Sequence, residues 1–98
     1  MTTRDRIAKN ERLFRELNER IREVSESLLA EGEGVEFICE CGNEGCLERI
    51  TLTRAEFRTV RSERTHFFVI PGHELPELEQ IVARHAGFTV VGKPWLSD

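Results

Sequence analysis

The clearest pattern in the chain is a stripe of apolar positions through its first third. Residues 4–30 contain neither glycine nor proline, and from Phe14 onward apolar side chains recur at alternating spacings of three and four residues. This repeat predicts one long amphipathic helix over residues 4–30. Its apolar stripe consists of Phe14, Leu17, Ile21, Val24 and Leu28.

The stripe has two interpretations. An apolar stripe most often packs on the rest of its own domain. A helix of about 27 residues is about 40 Å long, however, and would extend beyond a domain of about 70 residues. The flanking positions, which include Asn18 and Ser25, lack the charges of a parallel zipper. We therefore predict that the stripe binds a protein partner or a second copy of the chain.

The pattern after the Glu31–Gly34 hinge predicts a small α+β domain. Thr53 and Glu56 have the spacing of a capping box, which predicts a short helix over about 54–62. Pro76, the apolar residues after it and Gly87 predict a second short helix over 76–86. About four short strands are expected, over residues 35–39, 49–52, 66–70 and 88–91. The predicted organisation is thus a helical arm, residues 1–31, and a domain, residues 32–98.

Composition and charge exclude several classes of protein. The chain has 98 residues, enough for one domain, and its 39% hydrophobic and 33% charged content is typical of a soluble protein. It contains no apolar run of the roughly 20 residues that span a bilayer and no secretory signal core, so we expect no membrane association and a cytoplasmic location. Residues 32–98 carry seven basic and eleven acidic side chains, which disfavours nucleic acid as a partner.

The strongest chemical signal is the segment CECGNEGC, residues 39–46, which holds all three cysteines. Cys39 and Cys41 leave the same face of an extended chain, and the glycines allow a bend that returns Cys46 to them. Three thiols at this spacing favour a zinc site. A redox pair of Cys41 with Cys46, or burial as small apolar side chains, is the alternative. The acidic neighbours of the segment disfavour a reactive thiol but suit a bound cation.

A fourth zinc ligand must come from one of three histidines. His85 falls late in a predicted helix and His66 begins a strand, and each has an ordinary structural role there. His73 follows the rigid Pro71-Gly72 turn and precedes the predicted helix 76–86, an arrangement of treble-clef-like zinc sites. We therefore predict a Cys3His site with Glu74 as a hydrogen-bond acceptor for His73. Four protein ligands leave no open position for water, so no enzyme activity is expected.

From residue 10 to residue 93 the chain resembles a family of small actinobacterial proteins. The resemblance rests on the Cys-x-Cys-x4-Cys cluster, on a Leu-Thr-x-x-Glu-aromatic step at residues 52–57 and on the Pro-Gly-His turn at residues 71–73. It implies zinc binding and brings no established activity.

Three functions are compatible with these features. The first is a zinc-binding interaction or regulatory protein, with a structural metal and a partner-binding helix. The second is a thiol redox sensor that releases its metal on oxidation. The third is a transcription-associated factor that docks on RNA polymerase or a sigma factor, which rests on analogy between folds.

Overall fold

The computed structural model describes residues 3–41, 43 and 45–93, and for residues 3–8 and 10 it describes the backbone alone. Its architecture is α+β: one long N-terminal helix packs on a small domain of two antiparallel sheets and one short helix. The elements in chain order are α1 (Thr3–Leu28), β1 (Val35–Ile38), β2 (Arg49–Leu52), α2 (Arg54–Arg61), β3 (His66–Val69), β4 (Gln80–Arg84) and β5 (Thr89–Gly92).

The first sheet is the hairpin β1–β2, in which Val35 faces Leu52 and Ile38 faces Arg49. The second sheet has the strand order β3-β5-β4, so that β5 pairs with both neighbours and β4 lies at an edge. A bulge between Ile81 and Ala83 interrupts the register of β4 against β5. Among the described residues no helix is long and apolar enough to cross a membrane.

The predicted helix over residues 76–86 is wrong. Residues 76–78 form a turn, and Gln80–Arg84 form strand β4, which pairs with β5. The neighbouring β-branched residues Ile81 and Val82 suit a strand, and the ladder with β5 outweighs the weak helical pattern that begins at Pro76. The described part of the domain therefore has five strands and one helix, and a treble-clef arrangement is not confirmed because no helix follows His73.

Three phenylalanines from three different elements form the centre of the core. The ring of Phe37 on β1 stacks on that of Phe57 on α2, with centroids 4.7 Å apart, and both meet Phe68 on β3 edge-on at 5.8 and 5.9 Å. Helix α2 thus joins the two sheets. The capping box predicted from the sequence fixes its start: Thr53 accepts a hydrogen bond from the Glu56 N–H, and Glu56 accepts one from the Thr53 N–H.

Helix α1 turns a largely polar side to the domain and leaves most of its apolar stripe exposed. Among the described side chains of α1, the buried ones are Glu11, Phe14, Asn18 and Ser25. Of the predicted stripe, Phe14 is therefore buried and Ile21 is partly buried against the core. Leu17, Val24 and Leu28 are 41–73% exposed, and Leu13 is exposed beside them. At about 39 Å, α1 is close to the longest dimension of the molecule, 41 Å.

Two buried polar groups anchor α1 near its middle. The Asn18 amide exchanges two hydrogen bonds with the backbone of Ile38, and its Nδ2 also donates to Glu40 at 2.9 Å. The Glu40 carboxylate, which is fully buried, pairs with Arg61 and accepts from the Phe68 N–H at 3.2 Å. One carboxylate is therefore shared by α1, α2 and β3.

A buried ion pair anchors α1 nearer to its N-terminus. The Lys93 ammonium pairs with Glu11, lies 3.1 Å from Glu79 and donates to the Glu40 carbonyl at 2.9 Å. Its charge also lies over the Phe67 ring, 4.6 Å from the centroid. Burial raises the pKa of Glu11 to about 7, although the attraction of Lys93 acts to lower it.

Candidate metal centre

The structure brings the four predicted ligands together. Cys39 directly follows β1, Cys41 and Cys46 lie in the connection to β2, and His73 lies in the connection between β3 and β4. Their ligand atoms, three sulfur atoms and one ring nitrogen, all lie within 4.8 Å of one another. This is the cluster of potential metal ligands found in the described part of the chain.

The spacing of the donor atoms fits a tetrahedral metal ion. Nδ1 of His73 lies 3.7 Å from Sγ of Cys39 and 3.6 Å from Sγ of Cys46. A zinc ion with Zn–S bonds of about 2.3 Å and a Zn–N bond of about 2.0–2.1 Å requires a sulfur–nitrogen separation of about 3.6 Å. The donor set, three thiols and one imidazole, is also one that zinc prefers.

Backbone hydrogen bonds hold the cysteine loop in shape. The Cys39 N–H donates to the Glu48 carbonyl at 2.8 Å, which closes the base of the loop. Asn43 accepts from the Cys46 N–H through its carbonyl and from the Gly45 N–H through its side chain, both at 3.0 Å. The three cysteines are only 0–6% exposed and belong to the hydrophobic core.

A tight turn presents His73 to the cysteines. The His73 N–H donates to the Ile70 carbonyl at 2.8 Å, with Pro71 and Gly72 at the two central positions. Gly72 has φ of +99°, as a type II turn requires at its second central position. Proline fixes φ at the first position, and glycine adopts positive φ without a steric penalty. The Ile70 N–H meanwhile donates to Sγ of Cys39 at 3.2 Å.

Glu48, and not the predicted Glu74, contacts the far side of the His73 ring. Nε2 of His73 lies 3.2 Å from Oε2 of Glu48. Because Nδ1 faces the sulfur atoms, the ring proton can reside on Nε2, which faces this carboxylate. Glu74 instead accepts from the Gly72 N–H at 3.0 Å and so stabilises the turn. The one feature of the sequence that could have indicated Glu48 as a neighbour of the site is its position two residues after Cys46.

Hydrogen bonding between the thiols of Cys39 and Cys41 shifts their pKa values in opposite directions. The bond from the Cys39 thiol lowers the pKa of Cys41 to about 4. The same bond, together with burial, raises the pKa of Cys39. Burial also raises the pKa of Cys46. A divalent cation bound between them would favour the thiolate form of all three cysteines.

The other two histidines lie outside the cluster. The His85 ring stacks on Phe88 with centroids 4.4 Å apart, in the connection between β4 and β5. His66 begins β3 and faces Gly92 across the ladder with β5. Among the described residues, then, only His73 places a ring nitrogen near the three sulfur atoms.

Comparison of the chain with family models, with curated proteins and with solved structures found no match. The resemblance to a family of small actinobacterial proteins therefore stays a prediction.

Proposed function

We propose that this chain is a small zinc-binding interaction protein, in which a structural Cys3His zinc maintains the domain and the exposed stripe of α1 binds a protein partner. The observation that carries the proposal is the cluster of four donor atoms within 4.8 Å of one another. The donor spacing, the donor types and the 3.2 Å contact between Nε2 of His73 and Oε2 of Glu48 all support zinc as the metal.

Two features support a structural role for the zinc. Four protein donors complete a tetrahedron and leave no position for water or a substrate. The donors also come from two separate parts of the fold, since the cysteines belong to the β1–β2 hairpin and His73 follows β3 of the other sheet. Binding one ion would cross-link the two sheets, and the free energy of binding would stabilise the fold.

The arrangement of α1 supports the interaction role. Its domain-facing side carries the buried ion pair and the Asn18 hydrogen bonds, which fix the orientation of the helix. The accessible surface of α1 includes an apolar part, to which Leu17, Val24 and Leu28 belong. A contiguous apolar surface on an orientated helix is typical of protein–protein contacts.

Metal analysis tests the zinc site. Protein purified without chelator should contain about one zinc per chain. His73→Ala should lower zinc retention during dialysis against a chelator, and His85→Ala, a matched control outside the cluster, should not. Equal retention in both variants, or loss in His85→Ala alone, would contradict the proposal.

A further inference from the structure

We infer that a cleft between α2 and the sheet β3-β5-β4 binds a small organic cation, specifically an aromatic amine. The cleft has a volume of about 430 Å³, within the range of about 300–1,000 Å³ that is typical of small-molecule sites. Among the described residues that line it there is neither a candidate metal ligand nor a residue of α1. The site is therefore distinct from the two features on which the proposed function rests.

The floor of the cleft is apolar and comes from three elements. Phe88 and Val90 lie on one face of the sheet, because side chains two residues apart leave an extended chain on the same side. Val60 of α2 lines the same space, and these three side chains are only 4–6% exposed and belong to the hydrophobic core. Val82 and Ala83 of β4 add an apolar wall. The cleft thus offers the apolar part of a ligand a surface that the packing of the core holds in place.

A glycine keeps part of this floor uncovered. Gly92 continues the Phe88–Val90 face of β5 and pairs with His66 on β3. A Cβ atom at Gly92 would lie 3.5 Å from a methyl group of Val82 and 3.8 Å from the His66 ring. A longer side chain at this position would therefore occupy space between two residues that line the cleft. The space remains open because the residue is glycine.

The charges around the cleft favour a cation. The carboxylates of Glu56, in α2, and Glu63, just after it, lie on the rim, and the described part of the lining contains no lysine or arginine. The last turn of α2 also lines the cleft, and the C-terminal end of a helix carries partial negative charge. The two arginines of this turn, Arg58 and Arg61, form ion pairs outside the cleft. The resulting negative potential attracts a cationic ligand.

The hydroxyl groups of the rim point to the same kind of ligand. The Thr59 hydroxyl donates to the Ala55 carbonyl at 3.1 Å, and the Ser62 hydroxyl donates to the Thr59 carbonyl at 2.7 Å. Because each hydroxyl has one proton, both oxygens remain available to a ligand only as acceptors. An ammonium group donates hydrogen bonds and suits such acceptors, whereas a carboxylate or a phosphate requires donors.

Two imidazole rings favour an aromatic body for the ligand. His66 and His85 lie on opposite sides of the cleft, because β3 and β4 flank β5. The ring of His85 stacks on that of Phe88 with an angle of 17° between the planes. One wall therefore carries a flat aromatic surface against which an aromatic ring can pack. An aromatic ring with an amino group matches this wall, the apolar floor and the acidic rim together.

Titration of the full-length chain, as purified, with three indoles tests the site. Tryptamine, tryptophol and indole-3-acetate share one ring system and are respectively a cation, a neutral alcohol and an anion at neutral pH. Proton–nitrogen correlation NMR should show saturable shifts of the amides that line the cleft. Tryptamine should bind with a dissociation constant below about 1 mM and at least about fivefold more tightly than either analogue. About 0.5 M NaCl should reduce this preference.

Three variants test the residues. Glu63→Gln should weaken tryptamine binding about two- to threefold and leave tryptophol binding unchanged. Glu77→Gln is the matched control, because Glu77 is also exposed and lies outside the cleft. Ala83→Leu should abolish binding of all three indoles, since the larger side chain fills the cleft. Helical circular dichroism verifies folding, and the comparison of Glu63→Gln with Glu77→Gln decides the matter even if Ala83→Leu does not fold.

Three results would overturn the inference. They are the absence of saturable shifts with tryptamine up to about 5 mM, equal affinities for tryptamine and tryptophol, and equal losses in Glu63→Gln and Glu77→Gln. Shifts of the same amides that grow with protein concentration alone would identify a second copy of the chain as the occupant and would also overturn it. None of these results bears on zinc content or on α1, so the inference and the proposed function fail separately.

Discussion

The side-chain amide of Asn18 occupies the position of a neighbouring strand beside Ile38. The Ile38 N–H donates to Oδ1 of Asn18 at 2.8 Å, and Nδ2 of Asn18 donates to the Ile38 carbonyl at 2.8 Å. One residue of a helix thereby satisfies both backbone groups at the end of β1, directly before Cys39. The orientation of α1 and the start of the candidate metal loop are thus fixed by the same contact.

Removing this amide should destabilise the whole domain. Asn18→Ala leaves the partly buried Ile38 N–H and carbonyl without these partners and removes one donor from Glu40, so we expect a loss of about 2–3 kcal/mol in the free energy of unfolding. Ser27→Ala, an exposed substitution on the same helix, should change it by less than about 0.5 kcal/mol. Urea denaturation of the zinc-loaded variants measures both, and equal values would contradict the anchoring role of Asn18.

Glu48 should raise zinc affinity through His73. Glu48→Ala removes the acceptor for Nε2–H and should weaken zinc binding about tenfold, as loss of such acceptors usually does. Glu36→Ala is the control, because both carboxylates lie on the β1–β2 hairpin and both side chains are 62% exposed. Competition with a chromophoric chelator measures the affinities. A similar loss in both variants would show that Glu48 acts only through surface charge.

Gly72 should be required for the turn that presents His73. At φ of +99° an alanine is strained, and Gly72→Ala should cost about 1–2 kcal/mol of stability. Because the strain can be relieved by moving His73, zinc dissociation should also become faster. Gly32→Ala, where an added methyl group meets no atom within 4 Å, should leave both properties unchanged. Stopped-flow chelator assays and thermal unfolding distinguish these outcomes.

Stability should depend on pH through Glu11. Its pKa is raised from 4.5 to about 7 in the folded chain, so the folded state binds the proton more tightly than the unfolded state. The corresponding stability is complete below about pH 4.5 and is lost as pH rises through about 7, a decrease of about 1 kcal/mol between pH 6 and 8.

Glu11→Gln should remove this decrease. Zinc binding changes stability in the opposite direction, because protons compete with the metal for the thiols. The measurement is therefore the difference between wild type and Glu11→Gln at saturating zinc, and a difference that is constant from pH 6 to 8 would contradict the prediction.

Local patterns predicted much of the fold and the position of the candidate ligands. The absence of helix breakers before Gly32, the capping box at Thr53 and the Pro71-Gly72 turn each act within a few residues, and all three are present in the structure. The choice of His73 also rested on such a local signal. The predicted helix after Pro76 was wrong because pairing of β4 with β5 determines the conformation of that segment. The spacing of its apolar residues alone does not distinguish a helix from a strand.

The orientation of α1 could not be predicted from its apolar period. The period correctly places Phe14, Leu17, Val24 and Leu28 near one another, but it does not state which side faces the domain. That choice depends on polar partners distant in sequence, such as Ile38 for Asn18 and Lys93 for Glu11. The flanking residues Asn18 and Ser25, which disfavoured a parallel zipper in the sequence, are the ones that contact the domain.

The ion pair between Glu11 and Lys93 has a consequence for synthesis of the chain. The two residues are 82 positions apart, so during translation α1 leaves the ribosome long before its buried counter-ion. A helix can form within about a microsecond, but its docking near the N-terminus cannot be completed before Lys93 has been synthesised. Throughout that interval a nascent chain exposes both sides of the helix, and transiently exposed apolar surface is prone to aggregation.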